Sequence, residues 1–163
     1  MSSILNANKL LQEGIEQVIS AGIKPGIINP NVKINTRAIN RFGQCRKLPQ
    51  SQYDYEIQIN SKLLEVSKDK AMNTLVHEIL HTCKGCMNHG KTWKHYANVM
   101  NIMFGYDISR TSSYETIGID KPEYKYMIKC DKCSVSIGRQ KQSKLVTHTH
   151  QYRCKCGGNL HLV

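Results

Sequence analysis

Apolar positions change period several times along the first hundred residues, and each change marks an element. Leu11, Ile15, Val18 and Ile19 recur at helical spacing, and Gly22 with Pro25 ends that helix. Val32 to Arg37 and Arg41 to Lys47 read as strands. From Tyr53 to Asn60 the chain alternates apolar and polar without a fault, the pattern of a half-buried strand. Two amphipathic helices follow. Ala71 to Cys83 sets Met72, Leu75, Val76, Ile79, Leu80 and Cys83 on one stripe, and Asp69 suits the positive end of that helix. Lys91 to Phe104 turns Trp93, Tyr96, Ala97, Met100, Met103 and Phe104 inward, and Gly105 can close it. This order predicts a small α+β domain of helices on a three-stranded sheet.

Charge alters the picture. The chain of 163 residues carries 23 Lys and Arg against 12 Asp and Glu, a net of +11, which argues for a polyanionic partner such as nucleic acid. The excess is uneven. Residues 121–163 hold 9 basic against 2 acidic side chains, whereas residues 1–120 hold 14 against 10. Four of the seven cysteines share that basic tail, which is too short to build a core without a staple. A first domain over residues 1–119 and a small unit over 120–163 are therefore expected. No stretch approaches the roughly 18 apolar residues of a membrane span, and the opening nine residues lack the charged and apolar regions of a secretory signal. The expectation is a cytoplasmic monomer, nucleoid-associated in a bacterium or in the host cytoplasm for a phage, with thiols that bind metal rather than pair.

Candidate chemistry starts in the second of the long helices, with His77-Glu78-Ile79-Leu80-His81. Positions i and i+4 lie one turn apart on one helix face, so both imidazoles can reach a single zinc ion. They point away from the apolar stripe, toward a cleft. Glu78 stands where it can take a proton from a metal-activated water. For the third ligand His89 is favoured: Gly85 and Gly90 let the chain turn back toward the site. Glu115 or a cysteine is the alternative. His95 reads as solvated, Cys45 as a small core residue, and Cys83 and Cys86 as a buried residue and a loop residue.

In the tail, Cys130-Asp131-Lys132-Cys133 and Cys154-Lys155-Cys156 are twenty residues apart, a separation that suits a zinc ribbon with one structural zinc. The second pair is one residue short of the usual knuckle. Gly157 and Gly158 can relax the tighter turn, or His148, His150 or His161 can replace one thiol. Lys125, Lys129, Lys132, Arg139, Lys141, Lys144, Arg153 and Lys155 interleave with Tyr124, Tyr126 and Tyr152, a composition suited to single-stranded or partly unpaired DNA. The alternative reading makes these tyrosines the core of so small a unit.

The run from Leu75 to His81, followed by His89-Gly90-Lys91-Thr92-Trp93, resembles the SprT-like zinc metalloproteases, which include the Spartan-type proteases that degrade proteins crosslinked to DNA. The resemblance extends upstream through Arg37–Lys47 and Tyr53–Asn60, and downstream through Tyr106–Arg110 to the cysteine tail. It implies a zincin-like fold followed by a β zinc ribbon, a catalytic zinc on His77, His81 and His89, and Glu78 as general base. It also implies DNA-bound proteins as substrates, and it matches Arg110 to a basic position after the last helix. The rival expectation is a non-catalytic, zinc-containing DNA-binding or regulatory protein. An intact Glu78 argues against that rival, since a structural site needs no base.

Overall fold

A computed structural model of the chain describes residues 2–163, with side chains from Asn6 onward; Met1, where the first domain is expected to begin, lies outside them. The chain divides after Asp120 into two compact units. In the first, α1 (Ser2–Ser20) buries Ala7, Leu10, Leu11 and Val18, and Gly22 leaves it at a φ of 76°. Ile19, expected inward, is 57% exposed. Val18 already continues the line of Leu11, and the next residue falls about 100° further round the helix. Gly14 lets α1 press on a later helix: a methyl group there would stand 2.9 Å from Ile79 Cδ1.

Three strands form one sheet. β3 (Tyr55–Asn60) lies between β1 (Lys33–Asn35), which is parallel to it, and β2 (Gly43–Lys47), which is antiparallel. Ile57 and Ile59 are wholly buried, as strict alternation requires. Asn60 ends β3 and starts α2 (Ser61–Val66): its Oδ1 accepts from the Lys62 amide at 3.0 Å, while its Nδ2 donates to the Ala38 carbonyl at 2.8 Å. The sequence pattern did not show α2, because six residues with a single buried side chain, Leu63, display no period. Ser67 then caps α3 (Lys68–His81), which starts three residues before the expected stretch. Every member of the expected stripe, Met72 to Cys83, is buried.

α4 (Lys91–Phe104) closes at Gly105, whose φ is 70°. Trp93, Ala97 and Met100 are buried, but Met103 is 54% exposed because it lies about 80° round the helix from Trp93. A short α5 (Tyr114–Ile117), begun by a Ser113–Thr116 capping box, follows.

The second unit is a three-stranded antiparallel sheet. β4 (Tyr126–Cys130) runs between β5 (Ser136–Arg139) and β6 (Leu160–Leu162). α6 (Lys144–Thr147) and a 3-10 turn (Thr149–Gln151) fill the connection to β6. Its buried core is only Ile128, Cys130, Val146 and Leu160. The fold is thus α+β: a mixed helix and three-stranded-sheet unit, then a small β unit whose cysteine cluster fits a zinc ribbon. Among the described residues, no helix is long and apolar enough to cross a membrane.

Candidate metal centre

α3 carries His77 and His81 one turn apart, and the loop after it, turning at Gly85 with a φ of 77°, returns the chain so that His89 stands just before α4. Three Nε2 atoms converge. His77 Nε2 lies 3.3 Å from that of His81 and 3.1 Å from that of His89. Backbone carbonyls orient two of the rings: His81 Nδ1 donates to Cys86 O at 2.7 Å, and Ser109 holds His77 through a backbone hydrogen bond. A carbonyl can only accept, so the His81 proton sits on Nδ1 and its Nε2 lone pair faces the centre. Trp93, 1% exposed, walls the group off, with its ring stacked on His81 at 5.5 Å and edge-on to His77 and His89 at 4.7 and 4.4 Å.

The donor set fits zinc. Tetrahedral bonds of about 2.0–2.1 Å separate neighbouring nitrogens by about 3.3–3.4 Å, close to the spacing seen here. Burial first, then its histidine neighbours, lowers the pKa of His77 to about 3; burial lowers His81 and His89 as well. Three neutral imidazoles aimed at one point present lone pairs that only a cation reconciles.

Glu78 is 8% exposed, and burial pushes its carboxyl up to about 7 against the opposing pull of the Cys45 backbone amide and of Arg41. Gly43 makes its place: a methyl group on Gly43 would lie 2.7 Å from Glu78 Oε1 and 2.8 Å from its Cγ. Beside this pair opens a cleft of about 250 Å³, lined by Arg41, Gly43, His77, Glu78, Arg110 and Ser112.

The second unit has its own cluster. The ligand atoms of Cys130, Cys133, Cys154 and Cys156 all lie within 4.8 Å of one another, and Cys130–Cys156 and Cys133–Cys154 are each separated by 3.5 Å. Four sulfurs about a zinc at roughly 2.3 Å would lie about 3.8 Å apart, so this set also fits. Amide hydrogen bonds from Cys133 and Lys132 hold the Cys130 thiol down at about 7. The short C-x-C turn is accommodated by Gly157 at a φ of 83°, with its amide bonded to Cys154 O at 2.8 Å. His148, His150 and His161 stand outside the cluster.

The profile of the SprT-like family matches residues 9–112, well over half of the chain. The chain belongs to the SprT-like family. No curated protein and no solved structure matches it. The SprT-like match runs from Lys9, within α1, through the segment after α4, both histidine-bearing stretches included, and stops before the cysteine unit. The family is associated with metalloprotease activity, and the two helical histidines with Glu78 between them fit that association.

The structure of this SprT-like chain brings His89, not Glu115, beside the helical pair; Glu115 is exposed on α5. His95 is exposed as well. Cys45 is only half-buried, and its contribution is its amide. Cys83 and Cys86 are buried thiols raised by desolvation, Cys83 to about 12, and the useful part of Cys86 is its carbonyl. Sequence reasoning missed Gly43, Arg41 and the backbone groups of Cys45, Cys86 and Ser109. Gly43 had a signal: a glycine inside a strand marks a close approach. The backbone groups had none.

Proposed function

We propose that this protein is a zinc-dependent endopeptidase that acts on proteins bound or crosslinked to DNA, held there by its basic ribbon. The observation that carries the hydrolase reading is the buried Glu78 carboxylate opening onto the same cleft as His77, within a SprT-like chain. His77, His81 and His89 would hold the catalytic zinc, and Cys130, Cys133, Cys154 and Cys156 a structural one. A zinc ion bound by these three neutral imidazoles would supply a lowered pKa for water, toward 7, and polarisation of a substrate carbonyl.

The chain supplies the rest. Glu78 takes the proton of the attacking water at its carboxylate and returns it to the leaving amine. Gly43 and the Cys45 amide hold that carboxylate in one place, so no reorganisation is needed when the proton moves. Cys86 and Ser109 fix the imidazole orientations. Support for the nucleic-acid part comes from the ribbon surface, where all eight of its interleaved lysines and arginines are exposed. Of its tyrosines, Tyr152 is 38% exposed and free to stack on a base, whereas Tyr126 packs on the ribbon core.

The test is Glu78→Gln measured with and without single-stranded DNA. Cleavage should be abolished while metal analysis still finds two zincs per chain. Equal turnover by the two proteins would overturn the mechanism. Stoichiometric zinc with no cleavage by wild type under any condition would favour a DNA-binding role alone.

A further inference from the structure

The cleft next to Glu78 is lined by two cations that form no ion pair. Among the described residues, ion pairs join Lys33 and Arg46 to Glu56, and Lys68 to Glu13; Arg41 and Arg110 have none. Glu78 is the one acidic side chain lining this cleft, and it is buried. Both arginines line the same cleft as His77 and Glu78, and the charge of Arg41 favours the Glu78 carboxylate while that of Arg110 disfavours protonation of His89.

Arg110 is also held in place. The stretch before it is pinned at two successive residues by two side-chain amides. Asn73 donates to Asp107 O at 3.2 Å and accepts from Asp107 N at 2.9 Å. Asn101 donates to Ile108 O at 3.0 Å and accepts from Ile108 N at 2.8 Å. The next residue, Ser109, is tied to His77. α3 and α4 therefore both clamp the segment that presents Arg110, and little backbone freedom is left to lose when a ligand binds there.

We propose that Arg41 and Arg110 form a carboxylate seat beside the reacting centre, so that the enzyme cleaves next to an aspartate or glutamate of its protein substrate. The inference rests on the endopeptidase reading and names its substrate class. Two planar guanidinium forks match a carboxylate held between them, and a charged side chain without such a partner would be left desolvated opposite them. A nucleic-acid phosphate is the lesser candidate. The cleft already carries the acidic Glu78, and the lysine-rich surface suited to a backbone lies in the other unit.

The zinc-loaded full-length protein is tested on a peptide library from a denatured proteome, with cleavage sites read by mass spectrometry. Wild type should show Asp and Glu enriched about tenfold or more at one position within two residues of the cut. R41Q/R110Q should lose that enrichment with two zincs still bound, and R110E should turn the preference toward Lys and Arg. On a matched peptide pair carrying Glu or Gln at that position, the difference should reside in KM. Glu78-dependent cleavage without acidic enrichment, or enrichment that persists in R41Q/R110Q, overturns the proposal. So does an oligonucleotide that competes with peptide in wild type but not in R41Q/R110Q, which assigns the seat to phosphate. Absence of any Glu78-dependent cleavage instead removes the endopeptidase reading, and this one with it.

Discussion

Gly43 matters for what it lacks. Its backbone needs no positive φ, so the constraint is space: the Glu78 carboxylate fills the room a side chain would take. Gly43→Ala should therefore lower cleavage about 100-fold through a displaced base, a penalty typical of an ångström-scale misplacement. Zinc content should stay at the wild-type level, which metal analysis checks. Trp93 offers a probe at the same scale, being the sole tryptophan and packed on all three histidines. Its emission should change when a chelator strips the histidine site and recover with one equivalent of zinc. His77→Ala should abolish that response. The histidines and Glu78 were legible because a five-residue helical motif is local; Gly43 became meaningful only once β2 met α3.

Elements carry the next set of consequences. α3 unites two duties, with its stripe buried in the core and its other face bearing the histidines, so the site inherits the rigidity of the packing. Asn101, on α4, holds the Ile108 backbone through a donor and an acceptor. Asn101→Ala should cost about 1–3 kcal/mol in urea unfolding, since a part-buried N–H and carbonyl lose their partner. The small ribbon behaves differently. With four residues in its buried core it depends on its cysteines, so Cys130→Ser should reduce bound zinc from two to one per chain. Amide exchange should then quicken across β4 to β6 while α3 stays protected. Long periodic elements were readable in advance. α2, α5 and α6 were not, because capping and tertiary contact rather than periodicity make helices of four to six residues.

At the scale of the molecule, the net charge of +11 divides unequally between the two units, and the ribbon has the larger share. Affinity for single-stranded DNA should fall with the logarithm of salt concentration, with a slope near −0.7 for each phosphate neutralised. Replacing Lys141, Lys144 and Lys155 by glutamine should flatten that slope by about 2. An unchanged slope would show that the exposed ribbon lysines are not the contact. By itself the sequence determined the helical histidine pair with its glutamate, the α+β order and the basic tail, since these follow from residue type and from contacts within one helical turn. Only the tertiary structure decided that His89 rather than Glu115 joins the helical pair, and that four thiols rather than a histidine form the second cluster. It alone revealed the carbonyls of Cys86 and Ser109, the space at Gly43 and the cleft that Arg41 and Arg110 line. These depend on segments far apart in the chain meeting at a point, and on backbone groups that every residue shares and no sequence pattern can mark.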